Sequence, residues 1–343
     1  MSQKNETAVL ILALVITLGL AGAIFWWLTK SSGLKISPFN NYKSQSSGQS
    51  SGDLASVTNV PSGLFSYGGS TTWAPIRKVT DSVIQTTQPQ FRLRYTDPTT
   101  GAPGSGSGIK MLLSNQLAFS QSSRSLDKSE YQQAQQQGFT LKEIPVAIDG
   151  IAIAVNPNLN IPGLTVSQLK DIYTGKITNW QQVGGPNIPT IPYSRRQEEG
   201  GTVEFFAQNV LEKEKFGSDV QFISTTTQAL REVARNMGGL YYASSPEVVG
   251  QCTVKPLPLG RKPDQLVPPY QKPFVSLRQC PAQINQLNAT AFQNGEYPIT
   301  RRLFVIVKQD GQSDQQAGEA YAKLLLTSEG QQLISKAGFV QLR

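Results

Sequence analysis

Three stretches of the chain combine glycine with hydroxyl side chains immediately before an amphipathic, helix-like pattern. Gly68-Gly69-Ser70-Thr71-Thr72 precedes Trp73, Gly104-Ser105-Gly106-Ser107-Gly108 precedes Ile109, and Gly200-Gly201-Thr202 follows Arg195-Arg196. A helix start leaves backbone N–H groups without partners and carries a partial positive charge, so it attracts oxyanions. Glycine lets a ligand approach the backbone, and Ser and Thr add hydroxyl donors. Taken singly, each loop reads as an ordinary capped turn. Three of them in one chain, one beside an arginine pair, point to a tetrahedral oxyanion wrapped by converging donors.

Composition narrows the chemistry. The chain has 343 residues, enough for about two domains, and a formal net charge of +8 that suits an anionic partner. Its basic residues are scattered, and no aromatic-interleaved basic patch or helix-turn-helix pattern stands out, so nucleic acid is not an expected partner. Histidine is absent altogether. That removes the commonest general base, the Ser-His-Asp triad and most zinc sites. No alternative catalytic spacing is evident, so the chain reads as a binding protein, with no cofactor, metal or catalytic residue expected.

Residues 8–28 form an apolar run of 21 residues ending in Phe25-Trp26-Trp27-Leu28. At about 1.5 Å per residue this spans a bilayer core, and tryptophan suits the interface. A cleavable signal peptide usually has a shorter apolar segment and a small-residue cleavage site. The favoured expectation for residues 1–30 is therefore an uncleaved membrane anchor, with a signal segment as the alternative. Residues 31–61 are rich in Ser, Gly, Asn and Gln, and read as a flexible tether.

From residue 62 onward, strand and helix patterns alternate. Short strands are expected at Phe65–Tyr67 and Phe91–Tyr95, a β-rich run at Ile144–Val155 and an apolar strand at Leu303–Val307. Helices are expected at Ala74–Thr86, Ile109–Leu117, Val166–Tyr173, Val203–Leu211, Gln315–Leu326 and Glu329–Ala337. Such alternation predicts an α/β fold with a mostly parallel sheet, in which ligands bind where strands end and helices begin.

These residues resemble the phosphate-binding proteins of bacterial phosphate ABC transporters, within the periplasmic binding protein superfamily. The likeness is carried in order by Gly69-Ser70-Thr71-Thr72-Trp73-Ala74-Pro75, by Gly104-Ser105-Gly106-Ser107-Gly108-Ile109-Lys110 and by Ser120-Gln121-Ser122-Ser123-Arg124-Ser125-Leu126. It continues through Asp171-Ile172-Tyr173-Thr174-Gly175-Lys176-Ile177-Thr178-Asn179-Trp180, Gly239-Leu240-Tyr241-Tyr242-Ala243, Tyr297-Pro298-Ile299-Thr300-Arg301 and Ala337-Gly338-Phe339-Val340-Gln341-Leu342. The resemblance implies two α/β lobes over residues 62–343, a type II-like periplasmic binding protein fold. One lobe is 62–148 with 300–343 and the other is 149–299, with crossings near Ala147–Ala152 and Tyr297–Leu303.

The resemblance further implies binding of inorganic phosphate for delivery to an ABC importer or for phosphate sensing, the importer's permease subunits as partners and an extracytoplasmic location. Thr71, Thr72, Ser105, Gly201 and Thr202 match the family's donors, and Arg196 matches the arginine that pairs with the anion. Arg195 is assigned either to an ion pair, to the surface or to the ligand. Two positions depart from the pattern. Ser123 stands where relatives carry an aspartate that accepts the phosphate proton, and Gly200 replaces a serine; Glu198 matches a second acidic position and is the candidate acceptor. Cys252 and Cys280 fall in a Pro-rich insertion over 251–281, and are expected to pair in an exported domain. A second reading keeps the same fold as an adhesion or scaffold domain with weak or lost phosphate binding.

Overall fold

The computed structural model of the protein describes residues 53–196 and 200–342. The first half of this body is built from β1 (Gly63–Gly69), α1 (Ala74–Thr87), β2 (Phe91–Tyr95), α2 (Ser105–Leu113), β3 (Phe119–Ser122) and α3 (Lys128–Gln136). The long strand β4 (Thr140–Val155) then leads into the second half: β5 (Leu164–Thr165), α4 (Val166–Tyr173), β6 (Ile191–Ser194), α5 (Gly201–Asn209), β7 (Gln221–Phe222), α6 (Thr226–Arg235), β8 (Gly239–Ser244) and α7 (Ser245–Val248). After β9 (Lys255–Leu257), β10 (Leu259–Gly260) and α8 (Ala289–Gln293), β11 (Thr300–Gln309) returns to the first half, where α9 (Ser313–Leu326) and α10 (Ser328–Lys336) close the chain.

The strand order β2-β1-β3-β11-β4-β8-β6-β7, with β9 also on β4, makes a two-lobed sheet. Pairing is parallel at both outer ends and antiparallel in the middle, where β11 pairs with β3 and β4, and β4 with β8 and β9. The expectation of a mostly parallel sheet therefore holds only for the outer strands. The reason is topological: β4 leaves the first lobe and β11 comes back, so the two crossing segments run in opposite directions. β4 pairs with β11 up to Gly150 and with β8 from Ile151, which marks the passage between lobes.

Each lobe has its own aromatic core. In the first, Tyr67 stacks on Phe119 at 5.1 Å and Phe119 on Tyr321 at 4.8 Å. In the second, Phe206 of α5 lies parallel to Tyr242 of β8 at 3.6 Å, with Tyr173 edge-on to Phe206 at 5.0 Å. The stack holds α5 against β8, and the first turn of α5 meets the other lobe at Gly201.

Two helices begin earlier than the apolar pattern implies. α2 starts at Ser105 and α5 at Gly201, so the glycine-rich loops supply the first helical turn. α2 ends before Leu117 because Asn115 adopts a left-handed conformation with φ 56°. Within the segment read as a tether, Leu54 is fully buried in the first lobe's core and its carbonyl accepts from Gln88 Nε2 at 3.3 Å, so ordered structure begins well before residue 62. The apolar run 8–28 lies outside the described residues; among those described, no helix is long and apolar enough to cross a membrane. Cys252 and Cys280 are joined by a disulfide, their Cα atoms 5.7 Å apart.

Candidate functional site

The first lobe contributes a compact set of hydroxyls. β1 ends at Gly69, and Ser70 caps the turn Thr71–Trp73 by accepting from the Thr72 N–H at 3.3 Å. The turn is pinned from beneath, because Trp73 Nε1 donates to the Ser122 carbonyl at 3.1 Å and Arg77 donates to the Ser70 carbonyl at 3.2 Å. α2 approaches this loop closely: a Cβ on Gly108 would strike the Gly69 backbone, so only glycine fits there. Ser123, just past β3, accepts from Ser70 Oγ at 2.9 Å and lies 3.2 Å from Ser105 Oγ, while its own N–H donates to Ser105 Oγ at 3.0 Å.

The second lobe presents the start of α5. Gly201 packs directly on Ser105 and Ser123; a Cβ there would come within 2.5 Å of Ser105 Oγ. Beside this contact, between the lobes, lies a cavity of about 290 Å³. Thr71 and Thr72 line it from one side, and Gly200, Thr202 and Arg195 from the other. Its floor and far wall are Ser224 to Thr227 at the start of α6, Tyr241 and Tyr242 of β8, and Glu247 of α7. Hydroxyl donors, two helix starts and a guanidinium thus converge on one volume, an arrangement suited to a small oxyanion.

Beneath the cavity, Arg301 of β11 and Asp149 of β4 form a buried ion pair at 2.9 Å. Arg301 also donates to Thr72 Oγ1 at 3.1 Å, Thr202 Oγ1 at 2.8 Å and the Gly201 carbonyl at 3.1 Å, while Asp149 accepts from Ser244 Oγ at 2.6 Å. Burial raises the Asp149 carboxyl above its ordinary value, against the pull of Arg301 and the Ser244 hydroxyl. Glu247 is raised too, by burial first and by the charge of Asp149 second, with Arg301, Thr226 and Arg195 acting the other way. A further pair bridges the lobes, Arg124 Nε donating to Glu204 Oε2 at 2.9 Å while Arg124 also holds Glu130.

The expected residues thus divide into groups. Thr71, Thr72, Gly200 and Thr202 line the cavity; Ser105, Ser123 and Gly201 lie beside it, in contact with one another. Arg196 departs from its assignment. It is exposed, with its guanidinium 5.5 Å from the Phe222 ring centroid, and Arg195 is the arginine on the cavity wall. Both follow the end of β6, and of the two it is Arg195 that lines the cavity. Glu198 lies outside the described residues. Asp149, Arg301 and Glu247 were not expected from the loops. The signal for Asp149 and Arg301 was a carboxylate inside the apolar run Ile144–Val155 and an arginine in the return segment; Glu247 had none.

A model of the PBP superfamily domain matches residues 46–329. The chain belongs to the PBP superfamily. Among curated members, the Phosphate-binding protein PstS of Staphylococcus epidermidis is 26% identical over 245 residues, 71% of this chain and 69% of that protein. PstS of Staphylococcus haemolyticus is 24% identical over 297 residues, 85% of each chain. Among solved structures, a candidate phosphate ABC transporter substrate-binding protein with bound phosphate from Clostridium perfringens matches with a TM-score of 0.64 at 24% identity, covering 82% of this chain and all of that one (100%). An ABC-type phosphate transport receptor from Vibrio cholerae matches with a TM-score of 0.63 at 21% identity, covering 81% and 99%. At these identities the solved structures speak for the superfamily fold. Among the described residues, no group of His, Cys, Asp and Glu could hold a metal ion.

Proposed function

We propose that the chain binds inorganic phosphate in the interlobe cavity and hands it to an ABC importer. The observation that carries this reading is the convergence of Thr71, Thr72, Thr202 and Arg195 on one small volume between two lobes. Curated relatives named as phosphate-binding proteins support the same ligand. Closure of two lobes about a hinge is the usual motion of such receptors, and the strands crossing at Asp149 and Arg301 are where it would turn.

Arg195 takes the role of the ligand-pairing cation, because its position on the cavity wall suits a charge-assisted bond to an anion. Residues 8–28 act as a membrane anchor that holds the domain on the extracytoplasmic face, with a cleavable signal as the alternative. The Cys252–Cys280 disulfide supports an oxidising compartment. Delivery to a permease requires the open side of the cleft to meet the importer, and a tether would keep it within reach.

Isothermal titration of the full chain with phosphate and with sulfate tests the reading. Saturable phosphate binding at one site per chain is expected. Failure to bind either anion would favour a scaffold role for the fold.

A further inference from the structure

We propose that Arg301 is a positioning residue for the anion: it aims the Thr72 and Thr202 hydroxyls into the cavity, and can do so fully only when the two lobes are together. The inference rests on the phosphate reading above and adds to it a residue that does not itself line the cavity.

The geometry is specific. A guanidinium has only donors, so both threonine oxygens accept from Arg301 Nη2, at 3.1 Å for Thr72 and 2.8 Å for Thr202. Each hydroxyl then has a single proton to direct elsewhere. The two oxygens lie 3.3 Å apart, and a bond between them uses one of those two protons. The other proton must find an acceptor, and both residues line the cavity. At least one hydroxyl is therefore oriented in advance as a donor to an anion.

The same guanidinium reaches both lobes. Thr72 belongs to the loop after β1, and Thr202 to the first turn of α5, whose Gly201 carbonyl accepts from Nη1 at 3.1 Å. Asp149 holds the plane of the fork by accepting from Nε at 3.0 Å, and is itself fixed by Ser244. Arg301 and Asp149 are register partners on the two crossing strands. Movement of one lobe away from the other must break a bond from this guanidinium to Thr72 or to Thr202, so closure and donor orientation are one event. Only a planar fork can serve so many acceptors at once; an ammonium keeps the charge without that geometry.

The experiment is a calorimetric cycle on the full chain: wild type, Arg301→Lys, the pair Thr72→Val/Thr202→Val, and all three substitutions together, each titrated with phosphate and checked by thermal unfolding. The expected result is a folded lysine variant with phosphate affinity reduced about tenfold or more, and no further loss when the same substitution is made without the two hydroxyls. Wild-type affinity in Arg301→Lys, or a loss of equal size in the valine background, overturns the positioning role while leaving the phosphate reading standing. A wild type that takes up no phosphate overturns both. Should Arg301→Lys not fold, the neutral pair Asp149→Asn/Arg301→Gln keeps hydrogen-bonding amides in place of the ion pair and is read by the same cycle.

Discussion

Asp149 and Arg301 stand opposite each other on the two strands that cross between the lobes, carboxylate and guanidinium 2.9 Å apart and both buried. An ion pair in such a place is a weak source of net stability, because desolvation offsets most of the attraction. Its loss on one side is another matter. A lone buried charge has no compensation, and this one would sit at the hinge beneath an anion cavity.

Asp149→Ala is therefore expected to destabilise the domain by about 3 to 5 kcal/mol, the usual cost of orphaning one member of a buried pair. Asp149→Asn, which retains an acceptor for Arg301, should cost less. Urea unfolding followed by circular dichroism measures both. Alanine and wild-type midpoints that coincide would mean that Arg301 finds other acceptors when Asp149 is gone.

The two adjacent arginines make a paired prediction. Arg195→Ala should weaken phosphate binding by about ten- to a hundredfold, the worth of a hydrogen bond to a charged group. Arg196→Ala removes an exposed side chain beside Phe222 and should change affinity little. The reverse order of effects would return the anion to Arg196, as the sequence resemblance has it.

Glu247 lines the cavity, and burial raises its carboxyl above the ordinary value of 4.5. A carboxyl with a raised folded value holds its proton more tightly in the folded state. Between the ordinary and the raised value the folded protein binds more protons than the unfolded chain, so stability falls as pH rises through that window. Glu247→Gln should flatten this fall and leave the variant more stable than wild type at neutral pH. Asp149, Asp81 and Glu143 are raised as well, so the difference between the two proteins across a pH series is the quantity to read. The same variant should bind sulfate better relative to phosphate, since an unprotonated anion no longer meets a carboxylate. An unchanged pH profile together with an unchanged anion ratio would place Glu247 outside the site's chemistry.

Much of the architecture was legible because the signals were local. The capped turn at Ser70, the apolar face of α1 and the helix over Val166–Tyr173 depend on neighbours a few residues away. The loops at Thr71, Thr72 and Thr202 could be found for the same reason. What escaped was pairwise and distant. Asp149 and Arg301 are separated by most of the second lobe, and Glu247 enters the cavity only because β8 and α7 fold beside α5. The choice between Arg195 and Arg196 turns on which way the chain leaves β6, a matter of one residue of phase. The parallel sheet was over-extended because alternating strands and helices carry no mark of a chain that crosses to another lobe and returns.

The contact between Gly201 and the two serines makes the sharpest test of how the lobes meet. A methyl group on Gly201 would lie 2.5 Å from Ser105 Oγ and run into Ser123 Oγ. Neither serine can swing aside cheaply, since both are fully buried and bonded to each other, and Ser123 also to Ser70. Overpacking of this kind costs about 1 to 3 kcal/mol where the structure cannot yield. Here it can yield by parting the lobes, so Gly201→Ala should keep a melting temperature near that of wild type while losing affinity for phosphate. In small-angle scattering with phosphate present, the variant should have a larger radius of gyration than the wild type. If affinity and radius both match the wild type, the lobes do not meet through Gly201 when the anion is bound, and the serine cluster plays no part in closure.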